Sequence, residues 1–345
     1  VSGSLRERLW RGELPWFAGT LWPLEQLYRA GAAAGRFLGR RRVDVPVVSV
    51  GNLVAGGAGK TPVTLLLGRR LLAAGRRVGV VSRGYGRTSR GLVVVSDGRG
   101  AVVSAAEGGD EPILLARKEQ ALVVAVAERR LEAARACVSR GCDVVIMDDG
   151  FSHHRMRRDL DVLVVDADLG LGNGRLIPAG PLREPVSEAH RAGLVWLTRA
   201  TLDDFPLPPL AGLPFVRSGW RPVGVSEAGL RVTEGLSVLR GARVAAFCAI
   251  ARPEAFRRTL TGLGAEVVHF EAFSDHHAPS PAELERFRTF AGTAGAERLL
   301  CTEKDLARLE GGAAAGIGAL AMEAHLLGDE GSLDMAMARV LGRFP

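Results

Sequence analysis

The sequence predicts an α/β fold: a phosphate-loop NTPase-like, mostly parallel sheet with helices on both faces. A second, smaller α/β domain and an N-terminal interfacial helix accompany it. Three observations predict this. An apolar run at 47–50 enters a glycine-rich loop, closes on Gly59-Lys60-Thr61 and continues in a helical pattern. Strand and helix patterns then alternate, an order that builds parallel sheets. A second apolar run, 144–147, ends in the carboxylates Asp148 and Asp149.

Taken in order, Trp10, Leu14, Phe17, Leu21, Leu24 and Tyr28 fall on one helical face. Arg6, Arg8 and Arg11 precede this stripe, and Arg29, Arg36, Arg40, Arg41 and Arg42 follow it. Pro15 and Pro23 predict a break into shorter pieces. Tryptophan beside arginine suits a helix lying on an anionic leaflet. An ordinary helix packed on the first domain is the alternative.

A strand is predicted over 43–50, then the loop Gly56-Gly57-Ala58-Gly59-Lys60-Thr61, then a helix over 60–74. Glycines let backbone N–H groups curl toward phosphate oxygens, and the helix N-terminus adds partial positive charge. Lys60 suits the β- and γ-phosphates and the Thr61 hydroxyl suits Mg²⁺. Val54 stands where the strict motif has glycine, so the loop from Gly51 is longer than the standard one.

A strand at 77–82 opens into 82–87, a loop with Arg83 and Tyr85, at the strand end where open α/β sheets bind ligands. Asp110, in Gly109-Asp110-Glu111-Pro112, reads as the N-cap of a helix beginning near Ile113 or as a functional carboxylate. A helix over 127–140 precedes the Walker B-like strand 143–148, whose carboxylates would sit near a phosphate-bound Mg²⁺. His153 and His154 lack companions at zinc spacing. A strand at 160–165 leads to a long glycine- and proline-rich loop, 172–185, of a kind that is often functional. After a strand at 194–198, the proline-rich stretch 203–223 reads as a linker. Strands at 243–249, 265–270 and 298–301, with helices at 253–262 and 281–291, form a second unit. Thr302-Glu303-Lys304-Asp305 has the wrong order for a guanine-reading motif. The predicted organisation is a membrane-associating segment 1–42, a phosphate-loop domain 43–202, a linker 203–223 and a second α/β domain 224–345.

The 345 residues carry a net charge of +7, which favours an anionic partner: nucleic acid, nucleotide or membrane surface. Its arginine and alanine richness is also what base composition alone can produce. The four cysteines show no metal-ligand spacing and no disulfide framework, which fits a reducing cytosol. No uncharged apolar run reaches the about 18 residues a spanning helix needs, and no secretory signal stands out.

Together these motifs resemble the tetraacyldisaccharide 4′-kinases of lipid A biosynthesis. The resemblance rests on 49–53 with 56–62, on 82–87, 109–112 and 148–151, on 173–184, and on Asp275-His276 and 302–305, in the family's order. Ser152 departs from the glutamine expected in many members. The resemblance implies transfer of the ATP γ-phosphate to the 4′-hydroxyl of tetraacyldisaccharide 1-phosphate, a glycolipid, at the cytoplasmic face of the bacterial inner membrane. The enzyme would be peripheral or monotopic, without nucleic acid or an obligate protein partner. Asp110 would be the base, assisted by His276, the two lying in separate domains. Lys60 and Arg183 would act on the phosphoryl group. Thr61, Asp148, Asp149 and Glu184 would support Mg²⁺, directly or through water. Asn52, Arg83, Tyr85 and Asn173 would contact substrate. A membrane-bound nucleotide switch and a soluble small-molecule kinase are the competing readings; an acceptor requirement and a dependence on the Trp-rich helix separate them.

Overall fold

The computed structural model describes residues 5–34, 41–227, 229–274, 277–309 and 311–342. Asp275, His276, Arg36 and Arg40, named above, lie outside the described residues.

The chain forms two interleaved compact units. The first gathers 1–83, 129–219 and 324–345; the second gathers 84–128 and 220–323. This differs from the expected contiguous boundaries. The helix Asp110–Lys118 packs on the helix Glu303–Arg308, so the segment around Asp110 belongs with the later half of the chain and not with the phosphate loop.

In the first unit, the strands Val78–Ser82, Val144–Asp148, Val47–Gly51, Leu160–Asp166 and Leu194–Thr198 and the start of Phe215–Ser226 lie side by side in that order, all parallel. The first three of these strands are buried throughout, as parallel strands covered on both faces must be. The central strand Val47–Gly51 is in register with Val144–Asp148, pairing Val50 with Asp148. The phosphate loop and the paired carboxylates therefore leave neighbouring strand ends. Gly51 is obligatory here, because a Cβ would strike the Phe151 backbone nitrogen.

The second unit pairs Val93–Asp97 antiparallel with Val123–Val126. It also holds a parallel set in the order Glu266–Ala272, Arg243–Cys248, Arg298–Thr302 and Ile317–Leu327. The helices Pro253–Gly262 and Pro281–Thr293 match the sequence reading closely.

Two expectations fail. The stretch 203–223 is not a linker throughout: Phe215–Ser226 is a twelve-residue strand. Its Val216 and Val225 are buried, and the prolines that suggested a linker cluster before it. At the N-terminus, the expected break occurs, giving Leu5–Trp10, Pro15–Thr20 and Trp22–Ala34. The expected stripe is only partly outward, however: Leu24 is exposed, and Trp10, Leu14, Phe17, Leu21 and Tyr28 are half-buried. Leu9, Ala18 and Glu25 are buried, whereas Trp16 (71% exposed), Trp22 (56%), Leu24 (53%) and Leu27 (71%) face outward. The break at Pro15 rotates one helical piece against the next, which scrambles a continuous 3.6-residue stripe.

Candidate active site

The phosphate loop spans the end of Val47–Gly51 and the start of the helix Lys60–Ala73. Gly59 caps the helix in a left-handed conformation, φ +79°, and no side chain caps it. The first-turn N–H groups of Lys60 and Thr61 are therefore presented at the positive end of a fourteen-residue helix, the arrangement that binds phosphate. Thr198 braces the loop from behind, its hydroxyl donating to the Ala58 carbonyl at 2.7 Å. Arg199, at φ +52°, donates to the Gly57 carbonyl and is ion-paired with Asp166. Between the loop and the end of Leu160–Asp166 lies a shallow cleft lined by Asn52–Ala58, 164–166 and 169–171.

Lys60 Nζ lies 3.2 Å from Asn52 Oδ1 and 3.5 Å from Asp149 Oδ1. Asn52 is buried and donates to the Val54 carbonyl at 2.6 Å. It thus shapes the loop and holds the lysine. Val54 forms a bridge with Leu182, the Ala55 N–H donates to Pro181 and the Arg183 N–H donates to Leu53. The phosphate loop and the segment carrying Arg183 are one hydrogen-bonded unit.

Asp149 stands on a strained backbone, φ +50°. Arg183 Nη1 donates to both of its carboxylate oxygens at 3.0 Å, and Arg130 donates to its carbonyl. Burial pushes the Asp149 carboxyl up, but the charges of Lys60, Arg183 and Arg130 outweigh this and hold it below the usual carboxylate range. Asp148 is buried and accepts a hydrogen bond from Thr64 Oγ at 2.9 Å. Thr64 follows Lys60 by four residues, on the same helix face. Arg130 also bonds His153 Nδ1 at 3.3 Å. Burial, then the charges of Arg130, Arg158 and Arg155, push the His153 imidazole down to about 4, so it is neutral at ordinary pH.

Two expected site residues are held by other groups of the protein. Glu184 is buried, 3.3 Å from His154 Nε2 and 2.9 Å from Arg191 Nη2, and Arg191 also lies over the Phe151 ring at 4.6 Å. Both Glu184 oxygens thereby have partners within the protein. Asn173 donates from Nδ2 to the Leu9 and Ala179 carbonyls and accepts the Arg175 N–H on Oδ1, so it locks its own loop. Arg83 and Tyr85 are exposed beyond Val78–Ser82.

Asp110 is not the N-cap; Gly109 is, and Asp110 is the first helical residue. Its Oδ2 accepts from Arg308 Nε at 2.7 Å. Arg308 in turn donates to Asp305 Oδ1 at 2.9 Å, and Thr302 caps the helix Glu303–Arg308 through the Asp305 N–H. The Thr302-Glu303-Lys304-Asp305 motif therefore builds a buried mount for the arginine that holds Asp110. Among the described residues, no group of three or more histidine, cysteine or acidic side chains could hold a metal ion.

A buried parallel sheet, an uncapped glycine loop at a helix N-terminus, and a lysine and an arginine converging on a carboxylate define a class: an α/β nucleotide-dependent phosphotransferase. The family model described as tetraacyldisaccharide-1-P 4′-kinase matches residues 17–342, and the chain belongs to that family. It is 45% identical to the tetraacyldisaccharide 4′-kinase of Anaeromyxobacter sp. (strain Fw109-5) across 97% of each chain. It is 42% identical to that of Geobacter sulfurreducens, across 78% of this chain and 76% of the relative. A crystal structure of LpxK from Aquifex aeolicus in complex with ATP superposes with a TM-score of 0.78 at 31% identity, covering 94% of this chain and 99% of that one.

Proposed function

We infer that this chain transfers the γ-phosphate of ATP to the 4′-hydroxyl of tetraacyldisaccharide 1-phosphate. The observation that carries the reading is the cluster of Lys60, Asp149 and Arg183 beside the uncapped helix at Gly59, in a member of this kinase family. Phosphoryl transfer asks the protein mainly for positioning and charge neutralisation. Lys60 and the first-turn N–H groups hold the phosphates. Arg183, now resting on Asp149, stabilises charge developing on the transferring group. Asp110 takes the hydroxyl proton, assisted by His276. Arg83 and Tyr85 contact the acceptor.

Thr61, Asp148 and Asp149 fit Mg²⁺: all are hard oxygen donors, and magnesium commonly takes one or two carboxylates and completes its shell with phosphate oxygens and water. When bound it neutralises β- and γ-oxygen charge. The outward face of Trp16, Trp22, Leu24 and Leu27, with exposed Arg6, Arg8, Arg11 and Arg29 in the same N-terminal segment, supports peripheral attachment to an anionic membrane surface, the cytoplasmic face of the inner membrane. No helix of the described residues is long and apolar enough to cross a membrane.

The test is incubation with γ-labelled ATP and tetraacyldisaccharide 1-phosphate, followed by lipid chromatography. Label in a new 4′-monoester, dependent on added acceptor, is expected. Equal nucleotide turnover without acceptor indicates a nucleotide switch and overturns the reading.

A further inference from the structure

Glu25 is a buried carboxylate on a helix that also displays Trp22, Leu24 and Leu27 to solvent. Its Oε2 lies 3.0 Å from Arg175 Nε and 2.9 Å from Arg175 Nη2, and its Oε1 accepts the Leu176 N–H at 3.0 Å. Few surface helices bury an acid this fully, and such burial costs free energy unless every acceptor is used. Both oxygens here are used, and both on one loop. That loop folds back on itself: the Leu182 N–H donates to Arg175, the Ile177 N–H to Leu182 and the Gly180 N–H to Leu176. Its far end is the strip that bonds the phosphate loop through Ala55–Pro181, Val54–Leu182 and Leu53–Arg183. Three residues after Glu25, Tyr28 packs on the core that contains Leu176 and Leu182. Burial raises the Tyr28 phenol's pKa, and the charges of Arg183 and Glu184 also reach it.

We propose that Glu25 is a positioning residue for phosphoryl transfer: by gripping Arg175 and Leu176 it fixes the loop that aims Arg183 and shapes the phosphate loop. The N-terminal helix is then part of the catalytic scaffold as well as an interfacial surface. This rests on the role given to Arg183 above. Glu25 is buried while Trp22 and Leu27 are exposed, so substitutions separate their effects.

The test uses the full chain, with acceptor lipid in mixed micelles and in anionic vesicles. Glu25→Gln keeps the size of the side chain and loses the charge that holds Arg175. Its kcat is expected to fall about tenfold or more, the order that a small misplacement of reacting groups costs. The KM for acceptor and vesicle co-sedimentation are expected to stay as in wild type, and Glu25→Asp is expected to restore part of kcat. Should Glu25→Gln fail to fold, Arg175→Lys keeps the charge and loses the two-point grip, and the same kcat loss is expected in it. Unchanged kcat in either folded variant overturns the proposal. So does a rate loss that tracks lost vesicle binding, or one that vanishes at a temperature where variant and wild type are equally folded. Arg183→Ala separates the two readings: near wild-type turnover there removes the role of Arg183 itself, whereas an inactive Arg183→Ala beside a normal Glu25→Gln removes only this proposal.

Discussion

Asp149 is where the cations of the site meet, and its positive φ fixes the direction in which its carboxylate leaves the Val144–Asp148 strand. Lys60 and Arg183 both pair with it, and under the proposed function the same two cations serve the phosphate oxygens. Lys60→Ala is accordingly expected to lower kcat by at least about a hundredfold, the scale on which a transition-state charge partner acts. Steady-state turnover at saturating acceptor checks this, and near-normal turnover in a folded variant removes the phosphate-loop assignment. His153 offers a stability test. Its imidazole is depressed from an ordinary 6.5 to about 4 by burial and by Arg130, Arg158 and Arg155. As pH falls below 6.5 the unfolded chain takes up this proton first, so the native state loses stability down to about 4, and no more from this group below that. Thermal melts between those limits should show a shallower pH dependence in His153→Gln than in wild type. Equal slopes would mean that the histidine titrates alike in both states.

The helix Glu303–Arg308 shows how little room a functional mount needs. Six residues supply Glu303 to Lys118, Asp305 to Arg308 and Arg308 to Asp110. If Asp110 is the base, Arg308 orients it without touching the reacting atoms. Arg308→Met is then expected to cut kcat roughly tenfold or more, with Arg308→Lys intermediate and ATP KM little changed. A fall in ATP affinity with intact kcat would point to a different role. Most elements were legible because their signals are local: the strand 47–50, the helices 253–262 and 281–291 and the Asp148-Asp149 tip are all written in contiguous residues. Thr64, Arg130, Arg191 and Arg308 were not, because each acquires its meaning from a partner far along the chain or from an unremarkable turn of helix. The partners of Glu184 and Asn173 were hidden for the same reason. Their motif stood out, but His154, Arg191 and the Leu9 carbonyl, which engage them, come from other segments. The strand Ile317–Leu327 and the helix Gly331–Leu341 went unnoticed behind an alanine- and glycine-rich approach that masks their pattern.

At the scale of the whole molecule, the chain leaves its first unit after residue 83, returns at 129, leaves again after 219 and returns at 324. Contiguous domain boundaries cannot express such a path, and only long-range packing such as that of Asp110–Lys118 on Glu303–Arg308 reveals it. The N-terminal helices belong to the first unit by their buried side, through Glu25 and through the Asn173 bonds to Leu9 and Trp10. Their outward side, with Trp16, Trp22, Leu24 and Leu27, is exposed, so the proposed membrane contact can be tested apart from the fold. Leu14 and Phe17 are half-buried, so charging them should destabilise the protein. Trp22 and Leu27 are exposed, so charging them should leave the melting temperature nearly unchanged. Full burial of one large apolar side chain contributes about 1.5–3 kcal/mol, so even partial insertion of two predicts roughly a tenfold or greater loss of vesicle affinity in Trp22→Asp with Leu27→Asp. Arginine adds a term that salt screens, whereas the apolar term persists at high salt. Co-sedimentation with anionic vesicles at low and high salt separates the two. Wild-type binding by the double variant at high salt would show that the outward face does not insert, and would leave attachment to the arginines alone.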